Sequence, residues 1–417
     1  MVSEIPKVEI GASTIHVSDG NYSSKYPKSH EFLESGIPFV SANNLRDGRI
    51  IRDNLKFISE VQHAALRKGH VRTGDVLLVT RGSLGLTALV TSEFNDVNIN
   101  AQLVLLRADN ITVDARYLFF VANSPDFQSQ VIRNASGTAQ PQLPIGPLKR
   151  LTIPLPLISI QRRIAGILSA YDELIENSQR RIKILESMAR ALYREWFVHF
   201  RFPGHESVPR IPSPLGEIPQ GWEVKSVPDC VYINPRVSVP RDGEKPFVPM
   251  GCLSNDSMHI TNIESRTGNS GAKFQNGDTL FARITPCLEN GKTGFVQFLP
   301  DPQSVAFGST EFIVLRSRTL TPEFVYLLAR SDEFRGVAIK SMSGATGRQR
   351  VQEKSLEDLR MAEPPRALLD QFSTIVSPSF KLAYGLHLQI QNLRRTRDLL
   401  LPRLLSGQID VEALDHA

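Results

Sequence analysis

Two long amphipathic stretches dominate the hydrophobic pattern of the chain. In the first, apolar residues recur at steps of three and four from Ile160 to Trp196, and in the second the same spacing runs from Leu368 to Leu404. Such spacing, close to a heptad average, predicts long amphipathic helices with a coiled-coil seam. A helix of roughly 35–40 residues would be about 50–60 Å long, which is more typical of a spacer than of a helix inside a globular domain.

Each predicted helix has one apolar stripe to bury, and the stripe of the other helix is the obvious partner. We expect the two helices to pack antiparallel, because the chain must return after the intervening segment. The alternative is that each helix packs only on the domain that precedes it. The predicted seam residues are Ile164, Ile167, Leu174, Ile182, Leu185 and Leu192 in the first helix and Phe372, Ile375, Leu386, Ile390, Leu393 and Leu400 in the second.

An internal repeat connects the two halves of the chain. A shift of 208 residues places positions 148–192 on positions 356–400 without a gap. Upstream, motifs match in the same order with small shifts, as in Gly74-Asp75-Val76-Leu77 with Gly277-Asp278-Thr279-Leu280 and Leu105-Leu106-Arg107 with Val314-Leu315-Arg316. Isolated dipeptide matches arise by chance, but an ordered series of this length indicates a duplicated unit.

The segments before the helices alternate short β-rich runs with turn signals such as Asp47-Gly48, and each has one expected short helix, over 115–123 and 322–330. A proline-rich, non-helical linker is predicted over 203–220. We therefore predict an α+β fold. It has two α/β domains with curved, mostly antiparallel sheets, over 1–155 and 204–363, and two long helices that form a coiled-coil spacer, over 156–203 and 364–417.

Composition and charge exclude several classes of protein. Hydrophobic residues make up 41% and charged residues 22% of the chain, as in a globular protein with buried cores. The net charge of +5 argues against a polyelectrolyte, and no module is strongly basic, so affinity for nucleic acid would need local clusters of charge. Cys230, Cys252 and Cys287 are too few for a disulfide scaffold. With no signal-like N-terminus and no membrane-length apolar run, we expect a cytoplasmic protein without membrane contact.

A search for catalytic motifs finds no complete active site. Asn290-Gly291-Lys292-Thr293 resembles the end of a phosphate-binding loop, but that motif requires glycine at the position of Pro286. The nine histidines include no pair spaced i, i+4 for a metal ion. The sequence therefore predicts no catalytic residue, no metal site and no cofactor.

Two types of polar loop, each present in both halves, are the candidates for contact with DNA. Small residues allow a backbone to approach phosphate, while Gln and Arg side chains can form paired hydrogen bonds with adenine and guanine edges. A single such loop would be read as an ordinary polar turn, and the repetition of both types favours a function. The candidates are Arg81, Gly82, Ser83, Thr138, Gln140 and Gln142 in the first half and Arg283, Thr285, Lys292, Thr346, Arg348, Gln349 and Arg350 in the second.

Taken in order, these motifs resemble the specificity (S) subunit of type I restriction–modification enzymes over essentially the whole chain. Phe57-Ile58-Ser59-Glu60, followed by the Gly74 and Arg81 motifs, is similar to the target-recognition domain of the family. Gly137 to Leu143, followed by Gln161-Arg162-Arg163-Ile164, resembles its junction with the first conserved helix. The ending from Leu399 to Gly407 is similar to its second conserved region. The second junction departs from the pattern, since Ala362-Glu363-Pro364-Pro365 has no Gln-Arg-Arg after it.

The resemblance implies a non-catalytic subunit that reads a split target in double-stranded DNA, one half with each recognition domain. It further implies that the helix pair sets the gap between the halves. Two methyltransferase (M) subunits, which hold S-adenosylmethionine themselves, would dock on the helices. Translocase–endonuclease (R) subunits that use ATP and Mg²⁺ would join for cleavage. The alternative is a helical scaffold for a DNA-modifying complex that reads no sequence.

Overall fold

The computed structural model of the chain describes residues 5–20, 25–137, 140–345 and 347–413. The chain divides into two compact units. The first contains the described residues up to Ile175 and those from Asn392 onward, and the second runs from Glu176 to Gln391. The predicted mixture of helices and sheets is confirmed. The helices are α1 (Glu60–Ala65), α2 (Ala115–Ala122), α3 (Pro125–Arg133), α4 (Ile145–Lys149), α5 (Ile158–Tyr193), α6 (Val227–Cys230), α7 (Pro322–Arg330), α8 (Asp332–Lys340), α9 (Glu353–Glu357) and α10 (Arg366–Leu405).

The first unit contains two four-stranded sheets, ordered β2-β11-β8-β9 and β6-β3-β10-β7, and two strand pairs, β1-β12 and β4-β5. Strands β3 and β10 run parallel, and the other pairs described in this unit are antiparallel. Its strands are β1 (Lys7–Glu9), β2 (His16–Asp19), β3 (Ile37–Val40), β4 (Leu45–Arg46), β5 (Arg49–Ile50), β6 (Lys56–Ile58), β7 (His70–Val71), β8 (Val76–Val79), β9 (Thr87–Leu89), β10 (Val97–Ile99), β11 (Leu103–Arg107) and β12 (Thr152–Pro154).

The second unit repeats this topology, with sheets ordered β16-β23-β20-β21 and β18-β17-β22-β19 and the strand pair β15-β24. Its single described parallel pair, β17-β22, corresponds to β3-β10. The predicted proline-rich linker contains an added hairpin, β13-β14. The strands are β13 (Arg210–Ser213), β14 (Gly216–Pro219), β15 (Glu223–Ser226), β16 (Val231–Ile233), β17 (Lys245–Val248), β18 (Glu264–Arg266), β19 (Ala272–Phe274), β20 (Thr279–Ala282), β21 (Thr293–Phe295), β22 (Ala306–Gly308), β23 (Phe312–Ser317) and β24 (Arg360–Glu363).

The repeated Gly-Asp motif forms a buried ion pair at the same place in both units. Asp75, at the start of β8, accepts two hydrogen bonds of 2.7 Å from Arg107 at the end of β11. Asp278 and Arg316 repeat both bonds at 2.7 Å. Burial raises the pKa of Asp278, and the bidentate hydrogen bonds from Arg316 oppose this shift, while the same bonds raise the pKa of Arg316.

Burial along the two long helices follows the same 208-residue shift. In α5 the buried line passes through Leu168, Ile175 and Ile182 at intervals of seven. In α10 it passes through the corresponding residues Val376, Ala383 and Ile390. Of the predicted seam residues, Ile164, Ile182, Phe372, Leu386 and Ile390 are buried, and Ile167, Leu185, Leu192, Leu393 and Leu400 are partly buried.

For two of the predicted seam residues, the prediction of burial is wrong. Leu174 is 50% exposed and Ile375 is 52% exposed. Their neighbours Ile175 and Val376 are buried instead, because they lie on the two lines of buried residues spaced by seven that end at Ile182 and Ile390. Among the described residues, no helix has the length and apolar character needed to cross a membrane.

Candidate nucleic-acid interface

In the first unit, the two predicted loops lie against each other at the ends of β8 and α3. Arg81, two residues after β8, forms a β-bridge with Gln142, and Gln142 also bridges Ser136. The amide of Leu143 donates to the carbonyl oxygen of Thr80 at 2.8 Å. Gly137 turns the chain between these contacts with φ +88°, where a side chain is rarely tolerated. The loops therefore form one continuous surface.

The second unit brings its own pair of loops together with the same contacts. Ile284 forms a β-bridge with Arg350, and Arg350 also bridges Ser343. The amide of Val351 donates to the carbonyl oxygen of Arg283 at 2.9 Å. Arg350 therefore occupies the position that Gln142 holds in the first unit. We call the described residues of the two loop pairs, within 80–83 and 136–142 and within 283–285 and 343–350, the reading edges.

The first reading edge carries mostly uncharged polar groups. Gly82, Ser83 and Gln140 are exposed, and Arg81 and Gln142 are partly buried; the predicted Thr138 lies outside the described residues. Gln102, which the sequence search did not select, lies beside this edge, since its carbonyl oxygen accepts from the amide of Thr80 at 2.9 Å. Amides of this kind can both donate to and accept from base edges.

The second reading edge carries ion pairs. Arg350 donates to both carboxylate oxygens of Glu311, over 2.5 to 3.1 Å, and these bonds lower the pKa of Glu311. Arg283 donates to Glu353 at 2.7 Å. A contact between either arginine and DNA would therefore require exchange of a carboxylate for a phosphate or a base.

The remaining predicted residues of the second unit fall into three groups. Arg348 is exposed on the reading edge, and Thr346 lies outside the described residues. Thr285 is buried and accepts from the amide of Gln349 at 3.0 Å, so both support the loop. Lys292 donates to the carbonyl oxygen of Met250 at 3.1 Å.

Glu311 and Glu353 were missed because a search for DNA-binding groups selects cations and amides, not carboxylates. One available signal was position, since Glu311 immediately precedes the strand that pairs with β20, as Gln102 precedes β11. In each unit, the carbonyl oxygen of this residue accepts from the first residue of the loop, Thr80 or Arg283.

The Gln-Arg-Arg motif fixes the start of α5 to the first unit. Gln161 is fully buried and donates to the carbonyl oxygens of Thr112 and Pro156, at 2.9 and 2.8 Å. Its side-chain oxygen accepts from the amide of Asp114 at 3.0 Å. Because all three bonds go to backbone groups, the motif has a structural role, and its counterpart in α10 is the buried, apolar Leu369.

The known proteins to which this chain is similar come from one family. Residues 21–187 match the family model described as the type I restriction modification DNA specificity domain. The type I restriction enzyme MjaIX specificity subunit of Methanocaldococcus jannaschii is 24% identical over 407 residues, which cover 93% of this chain and 90% of that protein. The type I restriction enzyme EcoEI specificity subunit of Escherichia coli is 31% identical over 156 residues, 36% of this chain and 26% of that one.

A solved structure extends the likeness to the fold. The crystal structure of the S subunit of the type I restriction-modification system from M. genitalium superposes with a TM-score of 0.58 at 14% identity, covering 96% of this chain and 95% of that one. The resemblance predicted from the sequence is therefore confirmed over most of the chain.

Proposed function

We propose that this chain, which belongs with the type I specificity subunits, reads a DNA target in two separate parts. Each unit would contact one part through its reading edge, with phosphate contacts fixing the register and base contacts selecting the sequence. The chain would catalyse no reaction itself. Two M subunits, which carry S-adenosylmethionine, would methylate the target, and R subunits that use ATP and Mg²⁺ would join for cleavage.

The observation that carries this proposal is that one framework holds two different reading edges. The same β-bridges hold both loop pairs, with Gln142 in one unit where Arg350 lies in the other. A protein that held DNA without reading its sequence would need similar charged side chains at both reading edges. Two units that read different half-sites do not need to share side chains in this way. Different side chains on one framework are what two readers of different sequences need.

The helices support the second part of the proposal, a spacer of fixed length between the readers. Within the first unit, Arg397 of α10 pairs with Asp172 of α5 at 2.5 Å, and Leu401 and Leu404 share a core cluster with Leu168. Within the second unit, Phe372 of α10 packs on Phe197 with ring centroids 4.8 Å apart. A helix pair anchored in this way resists changes in length, so it would define the gap between the half-sites.

Exposed apolar residues on the helices support docking of two equal partners. Leu174 and Leu382, which correspond under the 208-residue shift, are 50% and 45% exposed. A single exposed leucine is ordinary on a protein surface, so what points to a partner is its repetition at the same place in both helices. Their repetition suits two copies of one partner, the M subunit.

Selection from randomised duplexes tests the proposal. The full chain, assembled with its cognate methyltransferase subunits, should enrich two blocks of specified bases separated by an unspecified gap of fixed length. The chain alone should bind DNA weakly, because its small net charge supplies few phosphate contacts. Enrichment of no sequence by the assembled complex would instead favour a scaffold that reads no DNA, and cleavage by the isolated chain would identify a self-sufficient nuclease.

A further inference from the structure

Three metal-ligating side chains converge in the first unit, at a place that the sequence search for metal motifs passed over. His63 lies in α1, His70 lies in β7 and Asp96 immediately precedes β10. The Nε2 atom of His63 is 3.6 Å from Oδ1 of Asp96, and the Nδ1 atom of His70 is 3.7 Å from the same oxygen. The two imidazole rings are 4.4 Å apart, and one ligand atom from each of the three residues lies within 4.8 Å of the others.

In each imidazole ring, the nitrogen that faces away from Asp96 makes a hydrogen bond. The nitrogen that faces Asp96 is therefore available to a metal ion. The Nδ1 atom of His63 is 2.5 Å from the side-chain oxygen of Asn98, and the Nε2 atom of His70 is 2.7 Å from the carbonyl oxygen of Leu66. An amide oxygen only accepts, so each of these nitrogens carries the proton. The lone pairs of a neutral ring then lie on Nε2 of His63 and Nδ1 of His70, the atoms that face Asp96. Histidines that bind metal are usually oriented in this way.

The distances fit an ion better than they fit direct contacts. At 3.6 and 3.7 Å, the histidine nitrogens are too far from Asp96 to form hydrogen bonds with it. In a tetrahedral zinc site with bonds of about 2.0–2.2 Å, neighbouring ligand atoms lie roughly 3.4 Å apart. The two separations from Asp96 exceed that spacing by a few tenths of an ångström, and the two histidine nitrogens lie within 4.8 Å of each other. The Asp96 side chain is 67% exposed, which gives an ion access from solvent.

We propose that His63, His70 and Asp96 bind one divalent transition-metal ion such as Zn²⁺, with water at the remaining coordination position. Two imidazoles and one carboxylate form a ligand set suited to zinc, and cobalt can replace it as a probe. The ion connects α1 to the sheet β6-β3-β10-β7, and so holds the segment between Ser59 and His70 against β10. This inference does not depend on what the chain recognises in DNA.

The second unit supplies an internal comparison, because it lacks the ligands. In β7 and β10, His70 lies opposite Asn98. In the corresponding strands β19 and β22, Lys273 lies opposite Phe307. A lysine and a phenylalanine offer neither the second imidazole nor the amide that orients the first. The chain should therefore bind one ion, in its first unit.

The test uses the full chain, purified without a polyhistidine tag and stripped with a chelator. Titration with Co²⁺ should give the visible absorption of a tetrahedral ion, saturating at one equivalent per chain, and Zn²⁺ should displace it. The variants His63→Gln and His70→Lys should lose this signal, whereas His16→Gln, an exposed histidine of the same unit, should keep it. Asn98→Leu, which removes the orienting oxygen, should weaken binding by about 10–100-fold.

The same samples separate loss of the site from loss of the fold. Circular dichroism of each variant without metal should match that of the metal-free parent, and added Zn²⁺ should raise the melting temperature of the parent and of His16→Gln but not of His70→Lys. The proposal is overturned if the parent binds no more Co²⁺ than His70→Lys does, or if His16→Gln loses binding to the same extent.

Discussion

The two units share a buried framework and differ at their reading edges. Each has the same strand order, the same buried Asp–Arg pair and the same bridges between loops. On that framework, Gln142 of the first unit corresponds to Arg350 of the second, and Gln102 corresponds to Glu311. Substitution at an exposed edge costs little stability, while substitution in the framework costs much. The comparison shows how one fold can present two different sets of polar side chains.

The side chains at equivalent positions of the two long helices also differ between the units. In the first unit, Asp172 pairs with Arg397. The 208-residue shift relates these two positions to Phe380 and Ala189 of the second unit, which are both buried and apolar. An ion pair in one unit and two buried apolar side chains in the other thus occupy equivalent places along the helices.

Breaking the buried ion pair of one unit should produce the largest effect. Asp75→Ala removes a carboxylate that is 1% exposed and leaves Arg107 without its partner, which should cost about 3–5 kcal/mol. Hydrogen exchange followed by mass spectrometry should show lost protection in β8 and β11, with β20 and β23 unchanged. Asp278→Ala should instead remove protection from β20 and β23 and leave β8 and β11 unchanged.

The control for Asp75→Ala is Glu34→Ala, which removes an exposed carboxylate of the first unit. It should change the free energy of unfolding by less than about 0.5 kcal/mol. If Asp75→Ala removed protection from both units equally, the units would not be separate folding bodies, and the comparison between them would lose its basis.

Lengthening both helices should shift the preferred gap between half-sites while leaving both readers intact. Tandem duplication of 169–175 in α5 and 385–391 in α10 adds one heptad to each helix, or about 10.5 Å, which is close to three base pairs. Selection from randomised duplexes should then give unchanged half-sites with a gap about three base pairs longer. Duplication in one helix alone is the control, and it should break the pairing. An unchanged gap in the double insertion would contradict a helical spacer.

Acid should destabilise the second unit before the first. His259 is buried, and its ring stacks on His387 with centroids 4.6 Å apart. Burial, reinforced by the charge of His387, lowers the pKa of His259 to about 3. Because the unfolded chain binds this proton near pH 6.5 and the folded chain does not, stability should fall by about 1.4 kcal/mol for each pH unit below 6.5, until about pH 3.

Urea unfolding between pH 7 and pH 4, with hydrogen exchange to assign each transition, measures this difference. The corresponding position of the first unit, before Ile50, holds Arg49 in place of a histidine. His259→Phe should remove most of the slope from the transition of the second unit. The same slope in that variant would assign the acid sensitivity to other groups.

Sequence periodicity predicted the elements better than it predicted side-chain contacts. The bounds of α7 and the existence of α5 and α10 followed from spacing and from proline positions, because these are local signals. Leu174 and Ile175 are adjacent and both apolar, so periodicity could not decide which one faces inward. The spatial neighbours of the reading edge, Glu311 and Glu353, come from distant parts of the sequence and had no motif to identify them.

The metal-ligating cluster illustrates the same limit. His63 and His70 are seven residues apart, and Asp96 follows 26 residues later, a spacing that matches no metal motif. Only the packing of α1 and β7 beside β10 brings them together. A sequence search detects sites built within one element, and it passes over sites that depend on the pairing of strands.

Half-site specificity of paired variants tests the central claim, that each unit reads its own part of the target. The full chain with its methyltransferase partners would be compared with Gln140→Ala/Gln142→Ala in the first reading edge and Arg348→Ala in the second, by selection from randomised duplexes. Each change should relax base preference in one half only, and in different halves, by about 1–3 kcal/mol per lost base contact. Equal loss at both halves in either variant would contradict independent readers.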